Sequence, residues 1–278
     1  MEYSPKKMKD LLSKYDFSFK KKFGQNFIID ENIIDSIINK SGVDKDTLVI
    51  EIGPGAGSLT YKLALSSGNV LCYEIDTTLK DLLNDNIKGC TNVKVIYNDF
   101  LLANVKEDIK EYNYTKIFVV ANLPYYITTP IIIKIIEDDL PIDKLVVMVQ
   151  KEVGNRFKAL PGTKDYGSLS VFLNYYFDIR KLMDVSCNVF LPKPNVDSIV
   201  VEFKKKDHLL EVKNRELFFK LIRDSFSQKR KTLRNNLKNY NLDVIESVLS
   251  EYGYDLSVRA EQLSLDIFVN LANSLNNK

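Results

Sequence analysis

Short, mostly apolar runs alternate with helix-length segments in the first half of the chain, and this alternation constrains the fold more than any other feature. The runs lie at residues 47–52, 70–75, 93–97, 117–121 and 144–149. Because each run is largely apolar rather than strictly alternating, it predicts a strand covered on both faces, as in a parallel sheet with helices on either side. The pattern therefore predicts a doubly wound α/β domain. Two later runs, at 172–183 and 198–203, are expected to add a terminal antiparallel pair.

Helical patterns flank this predicted sheet. Asp30 is placed to cap a helix that carries isoleucines at helical spacing and ends at Gly42. Beyond Lys206 two further apolar stripes of helical period appear, the second ended by Gly253, and Ser264 is placed to begin a last helix. The sequence therefore predicts an α/β domain over residues 1–206, which includes a basic leader, and an all-helical C-terminal domain over 207–278.

Composition excludes several classes of protein. The chain of 278 residues is 45% hydrophobic and 27% charged, as in soluble globular proteins. No apolar run approaches the ~18 residues needed to span a membrane, and the Lys-rich start lacks the apolar core of a signal peptide, so a cytoplasmic protein is expected. The three cysteines are scattered without metal-type spacing, which predicts free thiols and no metal site. The single histidine, His208, lies far from every motif, which excludes serine and cysteine triads.

The net charge of +2 hides an asymmetry along the chain. Residues 1–22 contain seven Lys and Arg against three Asp and Glu, and residues 204–238 contain twelve against four. The segments between and after them are acidic. Two basic segments on an acidic body are typical of an enzyme that binds a polyanion. Charge alone is equally compatible with solvated helical faces.

Four consecutive predicted strands end in residues suited to binding a ligand. Gly53 and Gly55, in the turn Gly-Pro-Gly-Ala-Gly after the first strand, permit close approach of a ligand to the backbone. Glu74, which ends the second strand 21 residues after Gly53, is placed to accept hydrogen bonds from ribose hydroxyls. Asp99 ends the third strand and Asn122 the fourth. Because a nicotinamide enzyme would explain only the first two positions, S-adenosylmethionine is favoured as the cofactor.

The turn Asn122-Leu123-Pro124-Tyr125 suits methylation of the exocyclic amine of a flipped base. The Asn122 side-chain oxygen and the Leu123 carbonyl are two acceptors for the two N–H groups of the amine. Pro124 biases the Leu123 backbone away from the helical region and has no N–H of its own. Tyr125 can stack on the extruded ring. The four residues alone fit a strand followed by an ordinary turn equally well.

With these residues in view, the chain resembles the ribosomal RNA adenine dimethyltransferase family, of the type that modifies bacterial small-subunit rRNA. The resemblance covers about residues 20–275. It rests on five motifs, which read Phe-Gly-Gln-Asn-Phe at 23–27, Glu-Ile-Gly-Pro-Gly at 51–55, Asn-Leu-Pro-Tyr at 122–125, Val-Phe-Leu-Pro-Lys-Pro-Asn-Val-Asp-Ser at 189–198, and Gln-Lys-Arg-Lys-Thr-Leu-Arg-Asn at 228–235. The last motif is expected to be helical.

The resemblance implies a role for each matching position. Asn26 and Ile28 would contact the methionine part of the cofactor, where Ile28 replaces the usual leucine of the family. Gly53 and Gly55 would lie against the cofactor and Glu74 would bind its ribose. Asp99 would bind the adenine amine, with Ile75 and Phe100 flanking the ring. Asn122 would serve both the cofactor and the target amine, together with the Leu123 carbonyl. Tyr125 and Phe190 would stack on the target adenine from opposite sides.

The implied reaction is transfer of two methyl groups to N6 of each of two adjacent adenosines in a loop near the 3′ end of 16S rRNA. The expected partner is this rRNA within the small ribosomal subunit or its precursor, and the enzyme is expected to be a monomer that does not bind membranes. Basic side chains would bind RNA phosphates, with salt-dependent affinity. They are Lys20, Lys21, Lys22, Lys229, Arg230, Lys231 and Arg234.

Three other functions compete with this one. An Erm-type methyltransferase, which modifies a large-subunit adenine, shares the catalytic turn, but the Asp197-Ser198 ending and the 228–235 motif favour the small-subunit enzyme. An assembly factor that acts mainly by binding immature small subunits is compatible with methylation. A nicotinamide-dependent oxidoreductase is disfavoured, because it would not explain the aromatic residues of the base-flipping motifs.

Overall fold

A computed structural model describes residues 5–20, 24–124 and 127–276, and the chain divides into two compact units. The first unit extends to Gly154 and resumes over Arg180–Lys204. The second unit consists of Asn155–Ile179 and continues from Lys205. The sequence-based division at residue 206 stays a prediction about independently folding domains, since the compact units also group residues 155–179 with the C-terminal part.

The described elements follow the order expected of an α/β protein. The helices are α1 (Pro5–Lys14), α2 (Glu31–Ser41), α3 (Ser58–Ser66), α4 (Lys80–Asn86), α5 (Val105–Asp108), α6 (Thr128–Glu137), α7 (Lys151–Phe157), α8 (Ser168–Tyr176), α9 (Arg215–Ser225), α10 (Leu233–Asn236), α11 (Leu242–Glu251) and α12 (Leu265–Asn276). The strands are β1 (Phe27–Ile28), β2 (Thr47–Ile52), β3 (Asn69–Tyr73), β4 (Val93–Ile96), β5 (Lys116–Asn122), β6 (Lys144–Gln150), β7 (Phe177–Val185), β8 (Phe190–Leu191) and β9 (Ser198–Lys205). In this described part, no helix is both long and apolar enough to cross a membrane.

Seven of the described strands form one sheet in the order β4-β3-β2-β5-β6-β9-β7. Strands β2 to β6 pair in parallel, whereas β9 pairs antiparallel with β6. The chain runs outward from β2 to β4 and then returns to place β5 on the other side of β2, so the order reverses between β2 and β5. Such a reversal opens a crevice at the carboxyl ends of the strands, where ligands bind. The predicted doubly wound fold is confirmed.

The buried strands form the core of the first unit, as the apolar runs predict. All six residues of β2 are buried, and so are the five central residues of both β5 and β6. The predicted helix after Asp30 is also confirmed, because the Asp30 side chain accepts a hydrogen bond from the Asn32 N–H and Gly42 ends α2 with φ of 70°. A glycine tolerates this left-handed backbone without the steric cost that a Cβ brings.

The second unit has its own apolar core. Side chains of α8, α9, α11 and α12 pack together, with Phe218 and Phe268 among the largest that are fully buried. Tyr175 of α8 belongs to this core, and its ring centroid lies 5.2 Å from that of Phe218. The predicted helices at both C-terminal stripes and after Ser264 are confirmed as α9, α11 and α12.

The prediction of a strand beginning at residue 172 is wrong for residues 172–176, which lie in α8. A short apolar and aromatic run does not distinguish a buried strand from a buried helix. Local hydrogen bonds settle the choice, because the Ser170 hydroxyl accepts from the Gly167 N–H and donates to the Arg156 carbonyl at 2.7 Å. The strand starts at Phe177, where α8 ends.

Candidate active site

A cavity of ≈ 320 Å³ lies in the first unit at the carboxyl ends of β2, β3, β4 and β5. Residues predicted to bind the cofactor line it together. They are Asn26, Ile28, Gly53, Gly55, Glu74, Ile75, Asp99, Phe100 and Asn122, with Leu123 beside them. The crevice created by the strand order is therefore where the sequence motifs meet.

The glycine turn brings the backbone close to the cavity. Gly53 and Gly55 have φ of +71° and +58°, and the Gly53 N–H donates to the Tyr73 carbonyl at 2.8 Å. A Cβ on Gly55 would lie 2.8 Å from the Phe27 ring, which is closer than packed carbon atoms approach. Glycine is therefore required at position 55 both by backbone conformation and by space.

Glu74 places a buried carboxylate at the end of β3. It is 4% exposed, and its two oxygens accept from the Gly55 N–H at 3.1 Å and from the Asp76 N–H at 2.8 Å. Burial raises the pKa of Glu74, although these backbone hydrogen bonds oppose the shift. Each carboxylate oxygen has two lone-pair directions, so both keep capacity to accept a further hydrogen bond from a ligand.

Two apolar side chains, Ile75 and Phe100, line the cavity together with the carboxylate of Asp99 after the ends of β3 and β4. Ile75 is 46% exposed although it is apolar, whereas Phe100 is buried with its ring 5.3 Å from that of Tyr73. Asp99 caps the short 3₁₀ turn that follows it by accepting from the Leu101 N–H at 2.9 Å. An exposed isoleucine, a buried ring and a carboxylate together suit a flat heterocycle that carries an amine.

Asn122 and Leu123 end β5 at the cavity wall. The Asn122 Nδ2 donates to the Asn26 carbonyl oxygen at 2.9 Å, which directs the side-chain oxygen away from that contact. Leu123 is buried, and its N–H donates to the Met148 carbonyl of β6 at 3.2 Å. Tyr125, the fourth residue of the motif, lies outside the described residues.

The pairing of β1 with β8 brings two distant motifs together, which the sequence did not predict. These strands are antiparallel, with Ile28 opposite Phe190 and Phe27 opposite Leu191. Ile28 lines the cavity, whereas Phe190 is 2% exposed within the core of the first unit and is not among the lining residues described. Its stacking role stays a prediction, and it requires the ring to become accessible to a base.

The predicted RNA-binding residues fall into two groups. Lys20, in the first unit, contacts Asp76 at 2.7 Å and Thr78 at 2.8 Å, and Lys21 and Lys22 lie outside the described residues. In the second unit Lys229, Arg230, Lys231 and Arg234 are all exposed. The 228–231 part of this motif forms a turn, so the expectation of a helix holds only for α10.

A network around Asp76 is the feature that motif reading missed. Asp76 is 2% exposed and accepts hydrogen bonds from Lys20, Gln25 and Thr78. Burial by itself would raise the pKa of Asp76, but these hydrogen bonds together hold it below its ordinary value. The signal in the sequence was a second carboxylate two residues after Glu74.

Glu51 is the other buried carboxyl group in this region. It is 2% exposed, and burial raises its pKa to about 8, aided by the nearby charge of Glu74 and opposed by hydrogen bonds with Thr60 and Cys72. The Cys72 thiol donates to Glu51 Oε2 at 3.7 Å. Glu51 lies in β2, two residues before Gly53, and is not among the residues described as lining the cavity.

Comparison with known proteins agrees with this geometry. A model of the family described as ribosomal RNA adenine dimethylase matches residues 16–277. The chain is 49% identical over 277 residues to the ribosomal RNA small subunit methyltransferase A of Staphylococcus aureus (strain bovine RF122 / ET3-1), covering 96% of this chain and 93% of the relative.

Solved structures show the same fold. A dimethyladenosine transferase from Plasmodium falciparum superposes with a TM-score of 0.76 at 24% identity, covering 90% of this chain and 98% of the other. The 23S rRNA methyltransferase ErmE superposes with a TM-score of 0.71 at 25% identity, covering 90% and 99%.

The cavity fits the cofactor of such enzymes. The glycines with left-handed backbone bring the main chain close to a ligand. The buried Glu74 carboxylate has spare acceptor capacity, which suits the ribose of S-adenosyl-L-methionine. The exposed Ile75 and the buried Phe100 both line the cavity and suit its adenine. The chain therefore belongs to the ribosomal RNA adenine dimethylase family and is an S-adenosyl-L-methionine-dependent methyltransferase that acts on adenine in ribosomal RNA.

Proposed function

We propose that the substrate is 16S rRNA within the small ribosomal subunit or its precursor, and that the enzyme dimethylates N6 of each of two adjacent adenosines in a loop near the 3′ end. The observation that carries this proposal is 49% identity, over 96% of the chain, to a relative named as a small-subunit methyltransferase. The likeness to ErmE is 25% in sequence, which supports a shared fold and chemistry more than a shared substrate.

The enzyme acts in this proposal as a monomer in the cytoplasm, where ribosomal subunits are assembled. The cytoplasmic location follows from the substrate.

The cofactor is held in this proposal by residues at four strand ends. Asn26 and Ile28 contact its methionine part, the backbone at Gly53 and Gly55 lies against it, and Glu74 accepts from the ribose hydroxyls. Its adenine lies between Ile75 and Phe100, with Asp99 accepting from the amine. When bound, S-adenosyl-L-methionine supplies an electrophilic methyl group.

Asn122 and Leu123 hold the amine of the target base. Because the Asn122 NH₂ group donates a hydrogen bond to the Asn26 carbonyl, the Asn122 Oδ1 remains as the acceptor for an N–H of the base. The Leu123 carbonyl is the second acceptor, and its backbone is held by the hydrogen bond from Leu123 N to Met148. Two acceptors on the two N–H groups favour a tetrahedral nitrogen, whose lone pair would take the methyl group as the methyl–sulfur bond breaks. The methylated nitrogen would then lose one proton. No strong base is needed for this step.

Aromatic side chains supply the walls for the flipped base. Tyr125 follows the acceptor pair directly in the chain, and Phe190 is brought beside Ile28 by the β1–β8 pairing. Enzymes that act on a base must take it out of its stack and replace the lost stacking with side-chain contacts. A target in a loop lowers the cost, because loop bases are already less stacked.

RNA binding depends in this proposal on phosphate contacts by residues that are distant in sequence from the catalytic turn. An exposed basic segment is formed by Lys229, Arg230 and Lys231 in the turn between α9 and α10 and by Arg234 in α10. Lys20, Lys21 and Lys22 complete the proposed set of RNA-binding residues. Each phosphate that is neutralised releases counterions, so affinity should fall steeply as salt rises.

The deciding experiment offers radiolabelled S-adenosyl-L-methionine to small and large ribosomal subunits that lack these methyl groups, then maps the labelled base. Label at two adjacent adenosines near the 3′ end of 16S rRNA is the expected result. Label in 23S rRNA alone would assign the enzyme to the Erm type. Stoichiometric binding to immature small subunits without any label would instead favour an assembly factor.

A further inference from the structure

Asp76 connects the cofactor cavity to the segment that precedes β1. Its side chain is 2% exposed, and its two oxygens accept hydrogen bonds from Lys20 and Gln25, which precede β1 in the chain. Oδ1 accepts from Lys20 Nζ at 2.7 Å and Oδ2 accepts from Gln25 Nε2 at 2.8 Å. The Gln25 Oε1 in turn accepts from the Lys20 N–H at 2.9 Å. Residues 20 and 25 are thus tied both to each other and to one carboxylate.

The residue after Gln25 contacts the catalytic turn, since Asn26 is hydrogen-bonded to Asn122. Gln25 and Asn26 line the cavity, and the Asn26 carbonyl accepts the hydrogen bond from Asn122 Nδ2 at 2.9 Å. The next residue, Phe27, packs its ring against Gly55. An amide has a nearly symmetrical shape, so its orientation depends on which groups it bonds. If residues 25 and 26 shift, the contact that orients Asn122 is lost.

We propose that Asp76 is a positioning residue, which fixes Lys20 and Gln25 beside the cofactor cavity and, through the adjacent Asn26 carbonyl, orients the Asn122 amide with its oxygen toward the target amine. This inference rests on the proposed acceptor role of Asn122. Asp76 also accepts from the Thr78 N–H at 3.2 Å and caps the 3₁₀ turn at Thr77–Leu79. A test must therefore separate positioning from capping.

Asp76→Asn makes this separation. Asparagine is as good a capping residue as aspartate, so its oxygen keeps the contacts with Thr78. Its second terminal atom is a nitrogen that donates, so it cannot accept from Gln25, and no charge remains for Lys20. Glu202→Gln is the matched control, because Glu202 is also a buried carboxylate of the first unit, 3% exposed, and pairs with Arg180 at 2.6 Å.

Equilibrium binding of S-adenosyl-L-methionine to the protein alone is the first measurement. We expect Asp76→Asn to weaken cofactor binding about tenfold, the effect of losing roughly one hydrogen bond to a charged group, and Glu202→Gln to leave it within about twofold. Amide hydrogen exchange of residues 24–30 should become faster in Asp76→Asn alone. Because neither measurement involves RNA, neither depends on which rRNA is the substrate.

Turnover is the second measurement. In Asp76→Asn we expect kcat to fall about tenfold or more, since small displacements of reacting groups have large effects, while the KM for RNA is unchanged. Lys20→Met should give a similar loss of kcat, and the double variant should lose no more than the worse single one, because both changes release the same segment.

Two results would overturn the inference. Cofactor affinity and kcat of Asp76→Asn equal to those of Glu202→Gln would show that Asp76 only caps a turn. A Lys20→Met variant that raises only the KM for RNA and leaves kcat intact would show that Lys20 contributes to phosphate binding alone and does not position the segment. If wild-type enzyme labels 23S rRNA, the proposed substrate fails but the cofactor and exchange measurements still decide the role of Asp76.

Discussion

The two compact units differ in where their charged side chains lie, because the first unit buries carboxylates near its cavity and the second unit exposes a basic segment. The first unit buries three carboxylates that are each 4% exposed or less, Glu51 in β2 and Glu74 and Asp76 after β3. Both strands end at the same cavity. Among described residues of the second unit, the buried polar side chains are only Ser170 and Ser225, and the basic segment at 229–234 is exposed. Burying a carboxylate is unfavourable unless hydrogen bonds compensate. The buried carboxylates at its ligand site therefore lower the stability of the first unit, and the second unit has no such contribution among its described residues.

This contrast predicts what each unit loses when a side chain is removed. In the second unit a large aromatic side chain contributes to packing, so its loss should appear in stability. In the first unit a polar side chain at a strand end should contribute little to stability and much to binding or turnover. Active-site groups are expected to be poorly optimised for stability for this reason.

The largest effect on stability is expected from Phe268→Ala. The ring is fully buried in the core of the second unit, 5.8 Å from that of Phe226. Removing it leaves a cavity, which should lower the free energy of unfolding by about 3–5 kcal/mol. Chemical denaturation followed by circular dichroism measures the loss. Cofactor affinity at low temperature should stay near that of the wild type, and a large loss there would break the contrast between the units.

The largest effect on chemistry is expected from Asn122→Ala. Losing one of two acceptors for the target amine should lower kcat about 100- to 1000-fold, as loss of one preorganised hydrogen-bonding group does in other enzymes. Cofactor and RNA affinity should remain largely intact, which filter binding and calorimetry can check. Asn113→Ala, at an exposed position, is the control. Near-normal formation of dimethyladenosine by Asn122→Ala would refute the proposed mechanism.

The fold was predictable because the apolar runs have a physical cause. A strand buried on both faces must be apolar along its whole length, and β2, β5 and β6 are. Residues 172–176 misled the prediction because four of the five are apolar or aromatic, a composition that suits either a helix or a strand. The hydrogen bonds of Ser170 at the start of α8 decide between them together with contacts of α8 with α9 and α12, which are distant in sequence.

The cavity was predictable residue by residue where a strand end coincided with a ligand-type side chain. Parallel strands place their carboxyl ends at one edge, so Gly53, Glu74, Asp99 and Asn122 had to meet if the sheet formed. The Asp76 network was not predictable in this way, because it joins residues 51 and 56 positions apart through hydrogen bonds of a loop. The same holds for the β1–β8 pair.

Buried carboxyl groups should make the stability of the first unit depend on pH. Burial raises the pKa of Glu51 from its ordinary 4.5 to about 8, so the folded state binds a proton that the unfolded state releases. Its contribution to stability is complete below about pH 4.5 and is lost as pH rises through about 8. Glu51→Gln should abolish this dependence, which we expect to be about 3 kcal/mol between roughly pH 5 and 8.

Thermal unfolding of both proteins at several pH values measures this effect. The stability of Glu51→Gln relative to wild type should increase with pH. Glu246→Gln, at an exposed position of α11 in the second unit, should leave the pH dependence unchanged. Parallel curves for wild type and Glu51→Gln would mean that the charge of Glu51 is accommodated without cost, and the contrast with the second unit would weaken.

The exposed charge of the second unit should affect RNA affinity alone. Reversing Arg230 and Lys231 to Glu should weaken RNA binding about tenfold at moderate salt and reduce the slope of log affinity against log salt by about two, since roughly one unit is lost per phosphate contact. Lys88→Glu with Lys106→Glu, two exposed positions of the first unit, changes the net charge equally and should have a much smaller effect. Binding is measured by filter retention across a salt series. Equal slopes for the two double variants would mean that total charge, rather than the 229–234 segment, attracts the RNA.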